Sequence, residues 1–104
     1  MDINEMAKMC AEYRQEIEAK LRNGWAVSYV GPVDALPGGA AKHGIEAGVL
    51  CVKARIRSAK IGRMLTVCIG VGRAGRKMDP GMVSAMLNGA LESAERAKLT
   101  LGGI

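Results

Sequence analysis

The sequence predicts an α+β fold: a three-stranded antiparallel sheet flanked by an N-terminal and a C-terminal helix. Three observations predict it. Apolar residues recur at helical spacing through the first two dozen positions. Two runs between residues 49 and 72 alternate in polarity with period two. A second helical pattern then opens at Asp79-Pro80. A chain of 104 residues fits a single domain, 1–104.

Residues 2–23 are expected to be helical. Asp2 with Glu5 three positions on is a capping-box-like start. Ile3, Met6, Cys10, Tyr13, Ile17 and Leu21 fall on one face. Glu16–Lys20 and Glu18–Arg22 add i,i+4 pairs in the favourable order. Asn23-Gly24 signals the stop. That apolar seam suits the chain's own sheet or a partner helix, so a homodimer is expected.

Trp25–Val30 reads as a strand, with Trp25, Val27 and Tyr29 on one side. Residues 31–48, GPVDALPGGAAKHGIEAG, hold two Pro and five Gly. They read as a long loop with a short ordered piece near Asp34–Leu36. Residues 49–57 form the second strand, with Leu50, Val52, Ala54 and Ile56 opposite Cys51, Lys53, Arg55 and Arg57. After SAKIGR, residues 64–72 return, with Leu65, Val67, Ile69 and Val71 on one face. The two runs should pair antiparallel with their apolar faces together. Asp79 is a strong N-cap and Pro80 suits the first helical position. Val83, Met86, Leu87, Ala90, Leu91 and Ala94 make that helix's apolar face, and Gly102-Gly103 is expected to end it.

Composition excludes several classes. The longest uncharged apolar run, Met64–Gly72, is far short of the ~20 residues of a membrane span. Asp2, Glu5 and Glu12 do not fit a secretory n-region. Three Cys without C-x-x-C spacing fit free thiols in a cytoplasmic protein. With His43 as the one imidazole, neither a metal site nor a cofactor is expected. A nucleophilic enzyme needs a base within reach, oriented by a third group. No such set stands out, so no enzyme activity and no catalytic residue is expected.

Gly70-Val71-Gly72-Arg73-Ala74-Gly75 matches G-x-G-x-x-G. A dinucleotide fingerprint needs a helix starting at those glycines, free to receive a pyrophosphate. Here the helix begins several residues later, and Asp79 caps it with negative charge. The glycines therefore read as the end of a strand and a turn.

The charge map carries more information. The chain bears +5 overall. Residues 1–24 are nearly balanced, with five acids and four bases. Residues 47–78 hold eight bases and no acid: Lys53, Arg55, Arg57, Lys60, Arg63, Arg73, Arg76 and Lys77. Lys53, Arg55 and Arg57 stand in a row on one strand face, about 6.5–7 Å apart. Their expected neighbours, Ala26, Ser28, Thr66, Cys68 and Gly70, are small. A sheet face of small residues crossed by cations suits a phosphate backbone.

With Trp25 and Tyr29 expected in the core, this face offers no ring for base stacking. Duplex backbone contact with weak sequence preference is the expected mode. The eight basic residues are the candidate nucleic-acid-binding set. The alternative is a protein-interaction module, an adaptor or inhibitor of the kind phage and mobile elements carry, docking on an acidic partner surface. A third option is a small-molecule enzyme using residues 31–48 as a lid.

Within VKARIRSAKIGRMLTVCI and AMLNGALESAERAK, the pattern of apolar and small residues is similar to that of the YbaB-type nucleoid-associated proteins. The element order and length resemble theirs too. The resemblance implies a small cytosolic dimer with a helix–three-strand–helix layout. The 18-residue Gly/Pro loop departs from that layout.

Overall fold

The computed structural model describes residues 2–102, with side chains for residues 2–98. Helix α1 (Ile3–Lys20) starts as its sequence requires: Asp2 Oδ1 accepts from the Glu5 N–H at 2.8 Å. It stops one turn earlier than expected. Leu21 turns extended and packs half-buried against the core, and Gly24 takes φ +105° in the turn that follows.

The sheet has four strands in the order β1 (Ala26–Pro32), β2 (Leu50–Ser58), β3 (Arg63–Arg73), β4 (Arg76–Lys77), all antiparallel. The fold is α+β as expected, with a fourth strand of two residues. That strand forms because Gly72, at φ +98°, lets the chain fold back after Arg73 and pair Gly72 with Lys77. Helix α3 (Pro80–Gly102) opens where expected, with Asp79 Oδ2 accepting from the Gly81 N–H at 2.9 Å. The helix runs through Gly102, and Gly103, the second residue of the expected stop, lies outside the described residues.

Both long helices cover one face of the sheet. The main core joins Tyr13 and Ile17 of α1, Val27 of β1, Leu50, Val52 and Ala54 of β2, Val71 of β3, and Val83 and Leu87 of α3. Polar ties fix the layers. The Tyr13 hydroxyl donates to the Met78 carbonyl, Arg14 donates to the Val27 carbonyl, and Ser84 Oγ donates to the Ile17 carbonyl at 3.2 Å. Trp25 Nε1 donates to Asn88 Oδ1 at 2.9 Å. At the β2–β3 turn, the buried Ser58 hydroxyl donates to Glu95 Oε2 at 2.8 Å and accepts from the Ile61 N–H.

The second face differs from expectation in two ways. A register shift between Val27 and Tyr29 is a β-bulge at Ser28. It swings Tyr29 away from the core to a place opposite Lys53, on the outer face. Residues 31–48 hold the ordered piece expected near Asp34–Leu36, but the rest is no open loop either. They fold into a short 3-10 turn (Val33–Ala35) and helix α2 (Gly39–His43), and these close over one end of the outer face. Val33, Leu36 and Cys51 form a second buried cluster there, with Tyr29, Ala40, Ile45 and Cys68 packed around it. Gly48 N–H donates to Asp34 Oδ2 at 2.8 Å and Val33 N–H to the Val49 carbonyl, pinning both ends of this flap.

Two buried acids of the side-chain kind follow from this packing. Burial, then the nearby charges of Asp79 and Glu16, push the Tyr13 hydroxyl from 10.0 to about 12. Burial under the flap, with the Cys68 sulphur alongside, pushes the Cys51 thiol from 9.0 to about 12. Both groups keep their protons in the fold where an unfolded chain has lost them. Their contribution to stability is therefore complete below pH 9 and lost as pH rises from 9 toward 12. The urea midpoint should hold level from neutral pH to 9 and fall beyond it. A midpoint unchanged up to pH 11 would contradict this.

Candidate nucleic-acid interface

The strand β2 row forms because period two sends alternate side chains to opposite faces. Val52, Ala54 and Ile56 are buried under the helices, while Arg55 and Arg57 stand exposed on the outer face and Lys53 is half-buried beside the flap. Across β3, Cys68 faces Lys53, Thr66 faces Arg55 and Met64 faces Arg57. On β1, Ala26 faces Arg55. Ser28, extruded by the bulge, spends its hydroxyl on the Lys53 carbonyl at 3.1 Å. The floor around the two arginines is thus low, apart from Met64. Among the described residues no carboxylate lies within ion-pair distance of Lys53, Arg55 or Arg57, whereas Arg14 pairs with Glu18 and Arg73 with Glu46.

The other five basic residues do not join this row. Arg63 pairs across the strands with Ser58 and borders a groove with Ala94 and Ala97 of α3, on the helix side. Lys60 lines a shallow pocket with Glu92 and Glu95 of the same helix. Lys77 reaches the helix side too, its Nζ 5.4 Å from the centroid of the Tyr13 ring. Arg73 and Arg76 are cross-strand partners at the far end of β3. Arg73 Nη2 donates to Glu46 Oε1 and to the Ala47 carbonyl, each at 3.4 Å. That exposed pair carries at most about 1 kcal/mol, but it holds the guanidinium against the flap.

Seven residues separate Thr66 from Arg73, about 23 Å of strand at ~3.3 Å per residue. The flap, with Ile45 resting on Gly70, lies between. The outer face therefore carries two basic clusters, Lys53–Arg55–Arg57 and Arg73–Arg76, rather than one continuous patch of eight.

Sequence reasoning missed Tyr29, which does share the outer face but is half-buried at the flap's edge, its hydroxyl donating to the Pro32 carbonyl at 2.8 Å. The bulge that moves it leaves no mark in the alternation of side chains. It missed the Glu46 partner of Arg73 because the two lie 27 positions apart. The G-x-G-x-x-G stretch is explained by backbone needs. A Cβ on Gly72 would stand 2.5 Å from the Arg76 carbonyl oxygen, and one on Gly70 would stand 3.3 Å from Ile45. Neither observation points to a phosphate.

Among the described residues, no group of three or more His, Cys, Asp or Glu side chains could hold a metal ion, and no helix is long and apolar enough to cross a membrane. No family model matches the sequence, and no curated protein or solved structure matches it. The resemblance to YbaB-type proteins thus stands on side-chain pattern, length and element order, and the flap and the fourth strand depart from its layout.

Proposed function

We propose that this is a non-enzymatic nucleic-acid-binding protein that contacts the phosphate backbone through the outer sheet face. The single observation in support is the row Lys53, Arg55 and Arg57: three cations at strand spacing, over a floor of small side chains, with no internal carboxylate to neutralise them. Phosphates need close approach and paired charge, and this face offers both. Arg73 and Arg76 supply a second contact about 23 Å along the strand. Lys60, Arg63 and Lys77 lie on the helix side and drop out of the contact set. Backbone contacts carry no sequence information, so preference among sequences should be weak.

A second reading is docking on an acidic protein surface. The break between the two basic clusters favours it, since each compact patch can meet a local acidic cluster without a continuous strip of charge.

Arg55→Ala with Arg57→Ala separates the readings. Both side chains are exposed, so the fold should be unaffected. Duplex affinity, read by fluorescence anisotropy at low and physiological salt, should fall roughly 10–100-fold for every sequence tested, and the slope of log K against log salt should flatten by about 1.8. Undiminished duplex binding by the double variant would remove this face as the site. No duplex binding by the wild type, together with a stoichiometric acidic partner, would establish the second reading instead.

A further inference from the structure

We infer that two copies of the chain join edge to edge along β3, antiparallel and centred on Val67. This stands independently of what the outer face binds.

The two sides of the sheet are treated differently. The β1 edge is guarded: a bulge interrupts it, Arg14 occupies the Val27 carbonyl, and α1 lies against it. The β3 edge is bare over most of its length. β4 reaches only Gly72 and Arg73, and Met78 N–H takes the Val71 carbonyl. Among the described residues, the main chain of 63–70 makes no hydrogen bond beyond its pairing with β2. Half of its N–H and C=O groups therefore point out of the sheet. None of the usual guards (Pro, a charge or a bulge) occurs between Met64 and Gly70.

The occupant that fits is the same strand. About Val67 the segment Leu65-Thr66-Val67-Cys68-Ile69 is chemically palindromic. A two-fold axis there sets Val67 against Val67 of the second copy, and Leu65 against its Ile69, all on the helix side. Thr66 meets Cys68 on the outer side, and Met64 meets Gly70 at the edge of the flap, beside Ile45. Leu65, Val67 and Ile69 are only half-buried in one chain. Above them, α3 leaves Met82 58% and Met86 43% exposed. Ser84 and Asn88, bonded to Ile17 and Trp25, mark the flank of α3 toward α1 and β1. At 3.6 residues per turn, Met82 and Met86 fall on the opposite flank, over β3.

The size is adequate. Seven paired residues span about 24 Å. With a sheet layer and a helix layer ~20 Å deep, the strip projects roughly 500 Å², close to the ~600 Å² per partner of a small specific interface. The axis runs perpendicular to the sheet, so both outer faces look the same way. The two Arg55–Arg57 rows then lie three strand spacings apart, about 14 Å.

Thr66→Cys tests the register directly. Directly opposed strand residues have Cα atoms about 4.5–5.5 Å apart, within disulfide range. The variant should yield a disulfide-linked dimer with native Cys68 on mild oxidation, and adding Cys68→Ser should abolish it. Sedimentation of the wild type should give twice the 11.0 kDa chain mass. Thr66→Lys, an exposed change beside Arg55, should weaken dimerisation at least ten-fold while leaving the far-UV circular dichroism of the monomer intact. A monomeric wild type overturns the proposal. So does a dimer that Thr66→Cys fails to link, or one that Thr66→Lys leaves unchanged.

Discussion

Replacing Leu87 with alanine should cost about 2–5 kcal/mol, a large fraction of the stability of so small a domain. Leu87 is fully buried on the face of α3 that meets both α1 and the sheet. Its neighbours in the core are Val, Ile, Leu and Ala, with Tyr13 as the one buried ring. Phe is absent from the chain and Trp25 is only partly buried at the margin. A core so poor in large side chains has little spare volume to close a leucine-sized hole. Small domains start from about 5–15 kcal/mol of stability. Urea unfolding should therefore show a clearly lowered midpoint, while Ser93→Ala on the exposed face of the same helix should change stability by less than about 0.5 kcal/mol. An unchanged midpoint for Leu87→Ala would mean that α3 does not seat as described.

Gly72→Ala should be the most damaging change outside the core. Gly72 sits at φ +98°, where an L side chain is strained by about 1–3 kcal/mol. Its Cβ would also stand 2.5 Å from the Arg76 carbonyl oxygen, a backbone atom that cannot swing aside. The chain must then give up the β3–β4 pairing. That pairing aims Met78 at the Tyr13 hydroxyl and leads directly to the Asp79 cap of α3. Together these should cost about 2–4 kcal/mol, with amide exchange accelerated first at Lys77, Met78 and Tyr13. Gly75→Ala, where a Cβ meets nothing within 4 Å, should be tolerated. Equal stability of the Gly72 and Gly75 variants would contradict this account. The contrast bears on the Gly70–Gly75 stretch as a whole: its glycines answer to turn geometry, and a phosphate is not needed to explain them.

The two long helices and the β2–β3 hairpin could be read from the sequence because their causes are local. Asp2 and Glu5 sit three apart, and Asp79 precedes Pro80; these set helix starts through bonds that reach only a turn away. The apolar positions Leu50, Val52, Ala54 and Ile56 repeat every second residue, and that period puts Arg55 and Arg57 on the opposite face whatever else the chain does. The pairing of β2 with β3 follows, since one slip would expose the whole apolar set.

What escaped the sequence is what depends on distant partners. Tyr29 leaves the core because one extra residue, Ser28, is looped out against β2, and a bulge of that kind is set by the register of two strands. The Gly/Pro-rich segment 31–48 folds down as a flap because Val33 and Leu36 find Cys51 on a sheet face that does not exist until the sheet forms. The spread of the eight bases follows the same rule. Lys53, Arg55 and Arg57 share one strand, so their common side was fixed by alternation alone. The fate of Lys60, Arg63, Arg73 and Lys77 turned on where α3, Glu46 and the Tyr13 ring came to rest. The amino-acid order by itself determined which residues face each other within an element and where each element begins. The tertiary structure alone decided which cations stay bare and which strand edge is left open, because both depend on what packing across long loops brings alongside.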